Sequence, residues 1–236
     1  KQLSIISEDK TKIYGESDPT LTVNYTGFVD GEDATDLSGT LSISRALGEA
    51  VNTYAITASG LTSTNYLINY VDGVFTITNK SMTSTEITTA TIADLVYTGQ
   101  AQTPIPQVED GATILTQDTD YELSYVNNTN VGTATITITG KGNYNGTRTV
   151  TFNITKAALT VTVDSGQTKV YGATDPTLTY TITGFVNSDT ESSLDTGVST
   201  LRATGEDVGT YTITPSGAAD SNYDISFVTA DFSITK

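Results

Sequence analysis

Lys12, Tyr14 and Asp18 lie together in the stretch KIYGESDPTLT, and Lys169, Tyr171 and Asp175 repeat that spacing in KVYGATDPTLT. A lysine amine beside an amide or a carboxyl can condense with it to an internal crosslink, provided the lysine is buried and a protonated carboxyl assists. Lysines at strand ends more commonly stay in solvent, and a structural reading explains each residue of the motif. Gly15 and Gly172 permit positive φ, Asp18-Pro19 and Asp175-Pro176 start a turn, and Tyr14 and Tyr171 join an apolar body to a polar tip. The motif is expected to mark the entry of a β module, with its lysines solvated.

Two further constellations could carry chemistry. Asp30, Glu32, Asp33 and Asp36, and again Asp189, Glu191 and Asp195, are close enough in sequence to share a calcium ion. Neither set follows an EF-hand loop, so solvated acids at a helix start are the expectation, and Asp118 and Asp120 form a polar turn. The pairs Asn65-Tyr66, Asn143-Tyr144 and Asn222-Tyr223 each follow a Gly-containing loop and precede a strand. An exposed tyrosine there could stack on a sugar, but recurrence at three places points to a core anchor whose hydroxyl caps a loop.

Composition removes most catalytic alternatives. The chain of 236 residues contains neither cysteine nor histidine. Thiolate and imidazole metal sites, disulfides and the usual His-dependent triads are thereby excluded. No convergent acid, base and nucleophile is found, so no catalytic residue, metal or cofactor is expected. The formal net charge of −16 disfavours nucleic acid and anionic lipid, both of which need a cationic footprint. No stretch approaches the roughly 20 apolar residues of a membrane span. Residue 1 is Lys and no signal segment opens the chain, so a monomeric piece of a longer protein is expected.

The elements that must position these residues are repeated. From Thr11 onward a shift of 157 aligns the start of the chain with its end without a gap. Gly27-Phe28-Val29 falls on Gly184-Phe185-Val186, Arg45-Ala46 on Arg202-Ala203, Gly48-Glu49 on Gly205-Glu206, and Asn65-Tyr66 on Asn222-Tyr223. The middle is a diverged relative: VGTATITITGKGNY, from Val131, echoes VGTYTITPSGAADSNY, from Val208, and YTGQAQTP, from Tyr97, resembles YGESDP with two residues added. Three modules follow, 1–79, 80–156 and 157–236, joined without Pro- or Gly-rich linkers and therefore arranged as a stiff, elongated rod.

Within a module the hydrophobic period is two. Leu21, Val23 and Tyr25 share a face, as do Leu178, Tyr180 and Ile182, Ala134, Ile136 and Ile138, and Val150, Phe152 and Ile154. Strands of about five to seven residues between Gly, Asp-Pro and Asn signals describe small antiparallel modules of a mainly β protein. The acidic segments Val29 to Gly39 and Val186 to Gly197 fit one or two helical turns. An immunoglobulin-like sandwich and a β-grasp-like module both satisfy this pattern. The sandwich is favoured for the middle module, and the two stay open for the flanking pair.

The combination KVYGATDPTLTYTITGF…GTYTITPSGAADSNYDISF…FSITK, and its copy beginning KIYGESDPTLTVNYTGF, resembles the MBG repeats, especially the YGX type, of large bacterial surface proteins. The middle module resembles the bacterial Ig-like repeats found beside them. The resemblance implies tandem arrays at an extracellular, bacterial cell surface, often in adhesins, and implies no catalytic residues. The expected role is a non-catalytic stalk that projects a distal binding domain. The alternative is weak multivalent cell adhesion, in which the modules bind host or neighbouring-cell glycans, mucin-like ones among them, or proteins.

Overall fold

Period-two alternation and frequent turn signals produce short strands throughout the computed structural model, which describes residues 1–236. The N-terminal repeat contributes β1 (Gln2–Ser7), β2 (Lys10–Ile13), β3 (Val23–Thr26), β4 (Ser38–Arg45), β5 (Asn52–Thr62), β6 (Leu67–Val71) and β7 (Gly73–Thr78). The intervening segment contributes β8 (Lys80–Ser81), β9 (Ile87–Thr89), β10 (Leu95–Val96), β11 (Val108–Asp110), β12 (Thr113–Ile114), β13 (Tyr121–Val126), β14 (Gly132–Gly140), β15 (Tyr144–Asn145) and β16 (Thr147–Thr155). The C-terminal repeat contributes β17 (Ala157–Val163), β18 (Gln167–Val170), β19 (Tyr180–Thr183), β20 (Ser199–Arg202), β21 (Gly209–Ser216), β22 (Tyr223–Val228) and β23 (Ala230–Thr235). The chain is mainly β.

These elements form two compact units. The first comprises Lys1–Thr89, Gln107–Leu123 and Thr137–Arg148; the second comprises Ala90–Pro106, Ser124–Ile136 and Thr149–Lys236. In the first, a sheet of order β3-β1-β6 faces one of order β2-β7-β5-β4, accompanied by the smaller sheets β12-β11-β9 and β15-β8. In the second, β19-β17-β22 faces β18-β23-β21-β20, and β10 runs parallel to β16.

Alternation decides what each face buries. Leu3 and Ile5 of β1 point inward, as do Ile56 and Ala58 of β5 and Phe75 and Ile77 of β7. The C-terminal repeat inserts Leu159, Val161 and Val163 of β17, Ile213 of β21, and Phe232 and Ile234 of β23. Leu21 and Leu178 pack on these cores from just outside their strands. Ala134, Ile136 and Ile138 are wholly buried along one face of β14, and Phe152 and Ile154 are buried on β16.

Two expectations change. The acidic segments do turn helically, but only as single 3-10 turns, Ala34–Asp36 and Glu191–Ser193. Three residues cannot cover a sheet, so the flanking repeats are two-sheet sandwiches rather than helix-on-sheet, β-grasp-like modules. Nor are the sheets purely antiparallel. β1 pairs parallel with β6 and β2 with β7, and β17 and β18 do the same with β22 and β23. The opening stretch of each repeat divides between both sheets, and in each it lies beside one of the repeat's two closing strands, which run in the same direction.

Candidate functional site

The KxYGxxDP motif and the RAxGE motif meet in space. Lys12 projects from β2 and is 5% exposed. Its Nζ lies 2.6 Å from Asp18 Oδ1 and 2.5 Å from Glu49 Oε2. Arg45, at the end of β4, donates from Nε to Asp18 Oδ2 at 2.5 Å and from Nη2 to Glu49. Its Nη1 donates to the carbonyls of Ala46 and Gly48. Two cations and two carboxylates therefore alternate around a closed ring that ties β2, the Asp18-Pro19 turn, β4 and the β4–β5 loop together. The ring lies over an apolar floor, with the guanidinium carbon 4.8 Å from the Phe75 ring centroid, a cation–π distance.

The C-terminal repeat builds the same ring. Lys169 contacts Asp175 at 2.6 Å and Glu206, and Arg202 contacts Asp175 at 2.8 Å and Glu206 at 2.7 Å, above Phe232. The lysines expected in solvent are buried instead. The partners that compensate them, Glu49 with Arg45 and Glu206 with Arg202, lie far along the chain and converge only after folding. The arginines and these glutamates were visible beforehand only as identities between the repeats. Their opposite charges at matched positions were the available signal.

Electrostatics decides what the ring can do. Hydrogen bonds from Arg45 and then Lys12 hold the Asp18 carboxyl down at about 2. Lys12 and Arg45 likewise lower Glu49. Burial works to lower Lys12, but its hydrogen bonds to Asp18 and Glu49 outweigh that and raise it. Amide formation needs a neutral amine and a protonated carboxyl, the protonation states that this arrangement opposes. The ring is a clamp of fully ionised groups.

The intervening segment has a reduced version. Lys80, on β8, is 8% exposed and pairs with Asp110 at 2.6 Å and with Glu86, without an arginine. Tyr144 donates to the other oxygen of Asp110 at 3.2 Å.

The Asn-Tyr pairs have two jobs. Tyr66, Tyr144 and Tyr223 are all buried. The Tyr66 hydroxyl accepts from Val29 N at 2.8 Å and donates to Glu32; that of Tyr223 accepts from Val186 N at 3.1 Å and donates to Asp189 at 2.6 Å. Burial and the Asp189 carboxylate push the Tyr223 hydroxyl up to about 12. The acidic segments are thus pinned by tyrosines from below. Their carboxylates serve protein donors: Asp33 and Asp36 cap the first 3-10 turn, Glu191 accepts from Tyr180, and Asp195 accepts from Ser221 N. No three acidic side chains converge as a metal-binding group would require.

The asparagines make joints. In the first unit Asn143 Oδ1 accepts from Val51 N at 2.9 Å, while Tyr144 meets Tyr14 edge-on with ring centroids 5.5 Å apart. In the second unit Asn222 Oδ1 accepts from Val131 N at 2.9 Å, while Tyr223 meets Tyr97 edge-on, again at 5.5 Å. The aligned residues of successive repeats therefore make the same two contacts twice. Each joint also receives a strand: Lys80 N donates to Asn143 O, and Ala157 N donates to Asn222 O, both at 3.0 Å. Nothing in the sequence marks the valine amides, because a backbone N–H carries no residue signature. Asn65 and Tyr171, by contrast, are exposed.

Gly15 and Gly172 adopt φ of +84° and +80° inside turns closed by Glu16 N to Ile13 O and Ala173 N to Val170 O. Asp18-Pro19 and Asp175-Pro176 follow these turns and deliver the ring aspartates.

A family model for the MBG domain (YGX type) matches residues 3–76 and 159–233. Among solved structures, the chain is similar to Sidekick-1 immunoglobulin domains 1-5, with 13% identity and a TM-score of 0.34. That similarity covers 97% of this chain and 57% of the other. Comparison with curated protein sequences gives no significant match.

Proposed function

Because the chain belongs to the YGX-type MBG domain family, we propose that it is a non-catalytic stalk segment of a bacterial cell-surface adhesin. In this reading three β modules, 1–79, 80–156 and 157–236, succeed one another as a stiff rod and carry a distal binding domain away from the cell. The observation that supports it best is the repeated joint. Asn143 and Asn222 each cap a valine amide across a repeat boundary, and a tyrosine pair closes beside each. Two contacts of defined direction at one boundary restrict swivelling, which a spacer needs and a flexible tether lacks. In each flanking repeat two cations and two carboxylates meanwhile neutralise one another in a closed ring.

Small-angle scattering of the chain tests the reading. A stalk gives a maximum dimension of about 100 Å, the sum of three modules of roughly 30–40 Å each, together with no signal on a glycan and mucin panel. A compact scattering profile refutes the spacer role. Saturable binding on the panel transfers the function to the modules themselves.

A further inference from the structure

Lys80 meets the conditions for an internal crosslink that Lys12 and Lys169 do not. Arg45 grips both oxygens of Asp18, at 2.5 and 3.2 Å, and Arg202 grips both of Asp175, at 2.8 and 3.2 Å. A guanidinium is always charged and yields no proton. In each ring two cations match two carboxylates, so protonating either carboxylate leaves an excess positive charge. Lys80 pairs with Asp110 and Glu86 without an arginine. Protonating one carboxylate there leaves the cluster neutral.

Paired strands deliver the reacting groups. Lys80 of β8 lies opposite Tyr144 of β15, and Asp110 of β11 pairs with Ile87, the neighbour of Glu86. Lys80 is 8% exposed and the Asp110 side chain 13%. Lys80 Nζ donates to Asp110 Oδ1 at 2.6 Å and to Glu86. The Tyr144 hydroxyl donates to Asp110 Oδ2 at 3.2 Å, and burial together with the Asp110 charge pushes it up, so it stays a donor. The cluster opens on a cleft of about 380 Å³, through which a released water can leave.

We propose that Lys80 and Asp110 condense to an intramolecular amide, with Glu86 as the proton carrier and Tyr144 as the donor to the oxygen that stays. Glu86 moves one proton from Nζ to Asp110 Oδ1, and the freed lone pair attacks Cγ. Tyr144 stabilises the negative charge that develops on Oδ2. Glu86 then carries a second proton from the nitrogen to Oδ1, which departs as water. A Cγ–N bond replaces the Cγ–Oδ1 bond, Oδ2 remains as the amide carbonyl, and no other reactant is consumed. Burial works to lower Lys80 while its hydrogen bonds to Asp110 and Glu86 raise it, so the neutral amine is a minor form and the step is slow. A bond made once per molecule tolerates that. The crosslink joins β8 to β11 and does not depend on the spacer role.

Intact mass of the purified, folded chain, followed over several days at neutral pH, tests this. The mass falls below that of the sequence by one water, and proteolysis gives a branched peptide that joins Lys80 to Asp110. Lys80→Arg keeps the charge and restores the sequence mass. Glu86→Gln slows the loss by about a hundredfold, the typical worth of a positioned acid–base group, and the 65% exposure of that side chain lets the variant keep its fold. The full sequence mass throughout overturns the inference. A water loss that survives Lys80→Arg also overturns it, because Asp110-Gly111 can dehydrate to a succinimide without the lysine, and so does an unchanged rate in Glu86→Gln.

Discussion

Ser7 and Val163 occupy the same place in the two flanking repeats. Ser7 pairs with Val23 on β3, and Val163 pairs with Tyr180, the residue aligned with Val23, on β19. Both are 2% exposed. Val163 belongs to the core with Ile213, Phe232 and Ile234, but the Ser7 hydroxyl faces that kind of environment with no hydrogen-bond partner. Ser7→Ala removes the orphan hydroxyl and stabilises the N-terminal repeat by about 1 kcal/mol, the low end of the cost of an unsatisfied buried group. Ser7→Val adds two buried methyl groups at ~0.8 kcal/mol each, less some loss to imperfect fit, for a total of about 2 kcal/mol. Val163→Ser reverses the exchange and costs about 2–3 kcal/mol. Calorimetry of each variant reads these as shifts of roughly 4 °C per kcal/mol for a repeat of this size, upward for Ser7 and downward for Val163. A lower melting temperature for Ser7→Ala refutes the reasoning, because it means that the hydroxyl has a partner worth keeping.

Four other outcomes follow from the rings, turns and joints. Asp18 ionises near 2 in the fold against an ordinary 3.8, so its stabilisation is complete above about pH 4 and lost as pH falls through 2. Discounted for its solvent exposure, that is about 1 kcal/mol; pH-dependent melts should show the loss, and Arg45→Gln should shrink it. At the alkaline end Tyr223, raised from 10.0 to about 12, keeps its stabilisation below pH 10 and loses it towards 12. Gly205 holds φ at +147° with the Tyr211 ring where a Cβ would sit, so Gly205→Ala should cost about 2 kcal/mol or more in urea unfolding; a neutral effect would mean that the ring is free to move. Asn143→Ala should release the Val51 amide to exchange about tenfold faster while costing only about 1 kcal/mol, and unaltered exchange would show that the joint does not depend on the asparagine.

Much of the fold could be read from residue types because its determinants are local. Alternating Ile, Val and Tyr announce a strand wherever they occur, and the Asn-Tyr pairs announce a buried anchor by recurring after each loop. The two sheets did not show themselves, since β1 and β2 look alike in sequence and part only when β6 and β7 are available to pair with them. Lys12 misled because its compensation comes from Arg45 and Glu49 on distant segments, and a charge is judged solvated until such partners are found. The joints were hidden for a different reason: half of each is the backbone of Val51 or Val131, where any residue but proline offers the same donor.

The parallel pairing of each flanking repeat's second strand with its last strand has a mechanical side. β2 lies along β7 from Lys10–Phe75 to Ile13–Thr78, and β18 lies along β23 from Gln167–Phe232 to Val170–Thr235. A pull that draws the two ends of a repeat apart slides these strands past one another along their length. The evenly spaced hydrogen bonds of a parallel ladder then bear the load together, in shear, instead of parting one after another as in an unzipping hairpin. The ionic ring is anchored on that same β2, at Lys12, so rupture of the ladder must also break the ring. Each flanking repeat thereby carries its parallel ladder and its ionic ring on one and the same strand.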